Sequence, residues 1–293
     1  MESLSKKRYT SGMNHLISVT KSDGTKQLFE EEKLIQSLKR VGANEEATED
    51  IIDEVEKEMH DGMTTTEIYS RAFLLLKKHS HHAAVKYSMR RAIFELGPDG
   101  FPFEKFVARI FNVWGYEAVT DQIMMGTCVD HEVDVVAWKD KELAIVEAKF
   151  HNEIGIKSDL KVVLYIKARC DDLAQSVFKF GGVERKLTEK WLVTNTKFTD
   201  KAVKYGECNN LKMMGWNYPQ NGNLQHIIEK YSLHPITSLS SLSHNQKKDL
   251  IGRGALLCSD LTKTPQFLHD IGADDTLVAK VLEECQVIIK LAK

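Results

Sequence analysis

The stretch 132–150 restricts the fold more than any other part of this 293-residue sequence. Glu132-Val-Asp134-Val-Val-Ala-Trp138 and Leu143-Ala-Ile-Val-Glu147-Ala-Lys149-Phe150 are alternating, β-branched-rich runs joined by the polar segment Lys139–Glu142. Such a pair reads as a β-hairpin. A symmetric turn between Asp140 and Lys141 sets Asp134 opposite Glu147, with β-carbons about 5 Å apart. Lys149, two residues beyond Glu147, shares their face. The rest of that face (Val136, Trp138, Leu143, Ile145) is apolar, and so is the whole of the other (Val133, Val135, Ala137, Ala144, Val146, Ala148). A sheet apolar on both faces needs helices on both, which implies α/β or α+β layers.

Two opposed carboxylates on a nearly buried sheet repel each other and call for a cation. Oxygen-only ligands with room for water suit Mg²⁺ or Mn²⁺. A lysine beside such a cation can orient an attacking water or steady charge on a phosphate. This is equipment for phosphodiester hydrolysis. The competing reading of the same three residues is an ion-paired structural cluster.

The remaining sequence divides around this hairpin. Breaker clusters at Gly97-Pro98-Asp99-Gly100 and Tyr218-Pro219-Gln220-Asn221-Gly222 mark boundaries and give three expected domains, 14–96, 100–231 and 235–293. All four tryptophans fall in the middle one. The first domain is expected to open with a hairpin, His15–Thr20 and Lys26–Phe29, followed by helices over 30–41, 45–60, 66–79 and 82–96. Its second helix carries eight acids, Glu45 to Glu58, against Lys57, a solvated face. The region 236–292 reads as short helices with a small apolar core to which Leu250, Leu256, Leu257, Leu261 and Leu268 can contribute.

Composition excludes several classes. A formal net charge of −2 argues against a purely charge-driven DNA binder. No apolar run reaches the ~18 residues of a membrane span, and no apolar stretch follows the basic residues of Met1–Ser11, so neither a membrane protein nor a signal peptide is expected. Five scattered cysteines without a CxxC pair suit reduced thiols in the cytoplasm rather than disulfides or a zinc knuckle. The P-loop and GxGxxG phosphate cradles are absent.

Val19-Thr-Lys21-Ser-Asp23-Gly24, then Phe29 and Lys33-Leu34-Ile35, then Ala84-Val85-Lys86-Tyr87-Ser-Met-Arg90-Arg91 resemble the ATP-cone, a regulatory nucleotide-binding module. The resemblance implies that ATP or dATP binds as an effector, with Lys21 and Lys33, and more weakly Arg90 and Arg91, facing its phosphates. Ser22 stands where that family usually has a basic residue.

The middle region resembles the Mrr-like restriction endonucleases of the PD-(D/E)xK superfamily. Phe103-Glu104 with Gly115-Tyr116, Gly126…His131-Glu-Val-Asp134, Glu147-Ala148-Lys149 and the basic segment Lys167-Ala-Arg169 carry the likeness, together with Val193-Thr-Asn195, 199–205 and 213–216. It implies an α/β/α core in which Asp134, Glu147 and the main-chain carbonyl of Ala148 bind the metal. Lys149 assists the water, Glu104 contacts the metal or an outer water, and His131 shapes the site or acts as base. Lys157, Lys161, Lys167 and Arg169 are expected to form a basic surface for the DNA backbone. In the tail, Leu268–Ala273 followed by 275–285 resembles half of a helix-hairpin-helix or SAM-like domain, a DNA- or protein-contacting element.

The expected protein is therefore a multidomain α/β, Mg²⁺- or Mn²⁺-dependent DNA endonuclease of restriction type. ATP or dATP regulates it, it is cytoplasmic, and it assembles as a homo-oligomer, dimer or larger. The alternative is a nucleotide-responsive DNA-binding protein that uses a nuclease fold without cutting.

Overall fold

The structure, a computed structural model, describes residues 17–21, 24–153 and 155–290. The readings made on Met1–Ser11, on the strand start at His15 and on Ser22 lie outside these residues. The chain forms two compact units, divided between Ala84 and Val85.

In the first unit, β1 (Ser18–Thr20) and β2 (Lys26–Leu28) form an antiparallel hairpin with Ser18 opposite Leu28. Three helices follow: α1 (Glu31–Arg40), α2 (Glu45–Glu58) and α3 (Thr65–His79). Asn44 caps α2 by accepting the Ala47 N–H, and Thr64 with Glu67 forms a reciprocal capping box on α3. These caps take up orphan donors at each helix start. Leu34, Leu38, Ile51, Val55, Ala72 and Leu76 meet in the core. The acids of α2 face solvent, except half-buried Glu54. Arg71 of α3 reaches Glu58 at 2.6 Å and Glu54 at 4.0 Å. The next helix, α4 (His81–Phe94), contains the division between the units.

The second unit is built on a five-stranded mixed sheet. Helix α5 (Phe101–Val113) leads into β3 (Glu117–Met125), β4 (Asp130–Lys139) and β5 (Glu142–Lys149), an antiparallel meander. A short strand β6 (Lys157–Ser158) and helix α6 (Leu160–Leu173) come next, then the hairpin β7 (Val177–Phe180) and β8 (Val183–Lys186). Strand β9 (Glu189–Thr194) joins β5 in parallel. After β10 (Lys197–Phe198) and α7 (Asp200–Cys208), β11 (Lys212–Met214) closes the sheet in the order β11-β9-β5-β4-β3. Helix α8 (Leu224–Tyr231) ends this region.

The sheet is covered on both faces, as its sequence requires. On one side Phe103, Phe106, Ile110 and Phe111 of α5 and Leu224 and Ile228 of α8 pack on Val135, Ala137, Ala144 and Val146. On the other, Val163, Ile166, Cys170 and Leu173 of α6 and Ala202 of α7 pack on Val136, Trp138, Leu143 and Ile145. Each fully buried phenylalanine contributes roughly 2–3 kcal/mol by leaving water. Val133 departs from expectation: it packs with Met124 in the second core rather than beside Val135 in the first. The chain kinks between them, since Asp121, between the partners of Val135 and Val133, adopts a φ of 57°.

Four helices complete the chain: α9 (His244–Gly252), α10 (Cys258–Lys263), α11 (Gln266–Asp270) and α12 (Asp275–Lys290). They enclose Leu239, Leu250, Leu261, Leu268, Val281 and Ile288. The expected tail core loses Leu256 and Leu257, which pack instead in the core beneath α5. Asp260 holds that segment in place by accepting the N–H groups of Leu256 and Leu257 at 3.0 Å and Arg109 of α5 at 3.3 Å. The serines at 240 and 241 both donate, backbone and hydroxyl, to the Glu284 carboxylate.

Candidate active site

The β4–β5 ladder follows the expected register, with Val135 opposite Val146 and Lys139 opposite Glu142. It stops at Val135–Val146. One step further, the Asp134 side chain takes the place of a ladder carbonyl and accepts the Ala148 N–H at 2.7 Å. The strands part where the charged residues begin. Glu147 is held by its parallel pairing to Leu192 of β9, and Lys149 by pairing to Thr194.

Glu104, one turn into α5, belongs to the same cluster. Burial, and next the charge of Asp134, push its carboxyl up to about 7. Burial and then Asp134 also push Glu147 up to about 7, with Arg169 and Lys149 pulling the other way. Asp134 is raised too, chiefly by burial, although the Ala148 N–H and Arg169 favour its ionised form. The cause is common to all three: partly desolvated carboxylates facing one another disfavour ionisation. Lys149 is exposed, and its charge is felt by both Asp134 and Glu147.

This donor set fits a hard divalent cation. Such a cation binds oxygen, keeps several waters and is held by one or two carboxylates. Its charge relieves the repulsion that raises these groups. Among the described residues no three His, Cys, Asp or Glu side chains are grouped to hold a metal ion.

Arg169 is not part of an open basic surface. It forms an ion pair with Glu147 in which the two side chains are 12% and 17% exposed. The guanidinium also donates to the Tyr165 hydroxyl at 3.0 Å and stands 4.9 Å from the centre of that ring. The reason is helical geometry, which turns position 169 of α6 toward β5. Lys157 and Lys161 are exposed, whereas Lys167 is paired with Asp171.

The His131 ring bonds Asp172 near the end of α6, at 2.8 Å. Asp172 also accepts the N–H groups of Cys128 and Val129 at 2.8 and 3.3 Å. Its carboxyl is held down at about 2, first by the His131 bond. Gly126 is required by the same contact, because a Cβ there would sit 2.1 Å from Asp172 Oδ2. The Gly126 and His131 elements of the sequence thus serve one purpose, pinning the β3–β4 turn to α6.

Beyond Lys149, His151 and Asn195 exchange two bonds through backbone and side-chain amide, at 2.9 and 2.8 Å. The His151 ring meets Ser158 at 2.9 Å. Burial, then the charge of Lys149, lowers its pKa. Sequence reasoning missed Asp172 and this cluster, because each acts through partners distant in the chain, and missed Tyr165, whose role depends on where Arg169 points. Only the Gly126…His131 spacing hinted at the Asp172 contact.

The cations expected to face nucleotide lie in both units. Lys21 follows β1, and Lys33 on α1 pairs with Glu30 at 2.6 Å. Arg90 and Arg91 lie on the part of α4 beyond the division, where Arg91 pairs with Glu95 at 2.9 Å. No helix among the described residues is long and apolar enough to cross a membrane, and all five cysteines are free thiols.

Comparison with known proteins agrees with this anatomy. Family models match at residues 17–93 (ATP cone domain), 98–216 (restriction endonuclease, Mrr type) and 234–289 (AF1548-like, C-terminal). A protein of Archaeoglobus fulgidus, named only as uncharacterized, is 33% identical over 184 residues, 62% of this chain and 99% of the relative. The solved structure of AF1548, described as a protein of unknown function, is 32% identical with a TM-score of 0.54, covering 66% of this chain and 99% of that one. Can2 from Sulfobacillus thermosulfidooxidans, solved with cyclic tetra-adenylate, shares 14% identity over 68% of this chain and 54% of its own, at a TM-score of 0.32, too remote to inform this chain. The 33% identity across nearly the whole of the relative, with the three family matches, leads to one assignment: the chain belongs to the AF1548-like family, with an ATP cone domain ahead of its Mrr-type restriction endonuclease domain.

Proposed function

We propose that the protein is a divalent-cation-dependent DNA endonuclease of restriction type, regulated by ATP or dATP at its ATP cone. The observation that carries this reading is the meeting of Asp134, Glu147 and Glu104 where β4 and β5 part, with two of the three carboxyls raised to about 7. Perturbed titratable groups gathered in a cluster are the arrangement that general acid–base and metal sites use.

Asp134, Glu147 and the main-chain carbonyl of Ala148 would hold Mg²⁺ or Mn²⁺. When bound, such a cation supplies the charge that activates water and steadies phosphate oxygens. Lys149 presents its ammonium on the same face, to orient the attacking water and to offset negative charge gathering on the phosphate. Glu104 can exchange a proton near neutral pH, and so can pass one to or from an outer water. His131 positions the turn ahead of β4. Lys157 and Lys161 offer charge to the DNA backbone. Paired strand breaks need two such sites, which favours a dimer or larger assembly. Domain limits of 14–96, 100–231 and 235–293 serve for dissecting the chain. ATP or dATP binding at the ATP cone, through Lys21 and Lys33, alters assembly or cutting without hydrolysis.

The test is plasmid cleavage with Mg²⁺, Mn²⁺ or EDTA, with and without ATP, for the wild type and for Asp134→Ala, Glu147→Ala and Lys149→Ala. Cutting by Asp134→Ala at the wild-type rate would sink the assignment. Absence of ATP and dATP binding by calorimetry, with unchanged cutting, would dismiss the regulatory half. A second reading, a nucleotide-responsive DNA-binding protein that never cuts, is favoured by the Arg169–Glu147 ion pair, which already neutralises one carboxylate. That protein would bind duplex equally in EDTA.

A further inference from the structure

The Arg169–Glu147 pair raises a question that the cutting reaction leaves open. Arg169 takes Oε2 of Glu147, so a divalent cation that binds both carboxylate oxygens competes with it. Arg169 is also incompletely satisfied: its Nε is buried with no hydrogen-bond partner among the described residues. Its other contact, Tyr165, is 60% exposed and so leads toward solvent. Lys161, Tyr165 and Arg169 follow one another at i,i+4 spacing, the spacing that lines residues along one helix face. The row begins with an exposed lysine, passes over an exposed aromatic ring and ends at Glu147.

We propose that Arg169 is the built-in counter-ion of Glu147, displaced by the divalent cation and then transferred along the Tyr165 ring to a phosphate of the DNA. This rests on the reading of Asp134 and Glu147 as a cation site and adds what occupies it at rest. The stacked tyrosine keeps the guanidinium oriented as it leaves, and the Nη1 freed from Glu147, with the open Nε–H on another edge of the group, is left to donate to phosphate oxygens. Arg169 is thus a positioning residue that couples cation loading to grip on the substrate.

The experiment uses the full chain and measures Mn²⁺ affinity by the electron paramagnetic resonance of free Mn²⁺. It compares wild type, Arg169→Gln, Arg169→Lys and Glu147→Gln. Removing one positive charge next to the carboxylates is expected to tighten Mn²⁺ binding in Arg169→Gln by about tenfold or more. Arg169→Lys, which keeps the charge, stays near wild type and shows that packing is not the cause. Binding of a fluorescein-labelled duplex in Ca²⁺ should weaken several-fold in Arg169→Gln and recover only partly in Arg169→Lys. Mn²⁺ affinity that is unchanged or weaker in Arg169→Gln overturns the counter-ion role. Unchanged duplex binding in that variant overturns the transfer to phosphate. If Glu147→Gln binds Mn²⁺ as well as wild type, or wild type binds none, the cation site itself is refuted and this proposal falls with it. Mn²⁺ bound through Glu147 but insensitive to Arg169 overturns this proposal alone.

Discussion

Replacing Glu147 with glutamine is expected to stabilise the cation-free protein while abolishing cutting. The magnitude follows from the site. The carboxyl shifts from an ordinary 4.5 to about 7, and each unit is worth ~1.4 kcal/mol. That position already includes the pull of Arg169, so it is the net penalty of ionisation. Because the folded value is the higher one, the folded chain holds more protons than the unfolded chain between pH 4.5 and 7. Stability therefore falls as pH rises through that window. Above it, the ionised group costs the native state ~3 kcal/mol, and glutamine removes this cost while still accepting a bond from Arg169. For a unit of this size, the gain corresponds to roughly 6–12 °C in melting temperature. The assay is thermal unfolding of wild type and Glu147→Gln in EDTA at pH 5 and pH 8. The variant should be the more stable at pH 8, with the difference largely gone at pH 5. His234 titrates in both chains and cancels from the comparison. A variant no more stable at pH 8, or a gain undiminished at pH 5, refutes the claim that burial and Asp134 destabilise this carboxylate. Saturating Mg²⁺ should raise the melting temperature of the wild type and leave the variant unmoved, since only a site that binds contributes linkage.

Other expectations follow from single contacts. Lys149→Ala should lower cleavage by about 100-fold or more while Mn²⁺ binding persists, because the lysine offsets charge without ligating. Gly126→Ala should cost about 2 kcal/mol or more by denaturant unfolding, since its Cβ would displace Asp172 from the β3–β4 turn. His234, 3% exposed with neither ring nitrogen bonded among the described residues, is lowered by burial to about 4. The unfolded chain thus binds the extra proton from pH 6.5 downward, and ~3 kcal/mol is lost as pH falls toward 4. His234→Phe should flatten that loss in melting curves taken between pH 4 and 7. Glu284→Ala should destabilise the chain by roughly 1–3 kcal/mol, because Ser240 and Ser241 lose the carboxylate they both bond.

The sequence by itself determined the layers and the register of the central hairpin. Period-two alternation on both sides of Asp140 set the hairpin, and its register followed from turn symmetry; a one-residue shift would put Asp134 and Glu147 on opposite faces. The same alternation put Asp134, Glu147 and Lys149 on one face. Helices α1 to α4 were legible for a similar local reason: 3.6-residue spacing, with cap residues at α2 and α3, acts within a few positions.

Tertiary structure decided what each charge meets. Nothing local in Lys167-Ala-Arg169 separates a surface cation from one aimed at a carboxylate. The packing of α6 on the sheet sends Lys167 to Asp171 and Arg169 to Glu147. His131, expected to shape the site or act as base, takes its bonding partner from Asp172, distant in sequence. Leu256 and Leu257 had the pattern of a tail core, yet Asp260 and Arg109 fasten their segment beneath α5. Periodicity specifies which face of an element is apolar. Which neighbour covers that face, and which distant side chain satisfies a charge, is settled only when whole elements pack, because burial and charge pairing depend on groups that local sequence does not bring together.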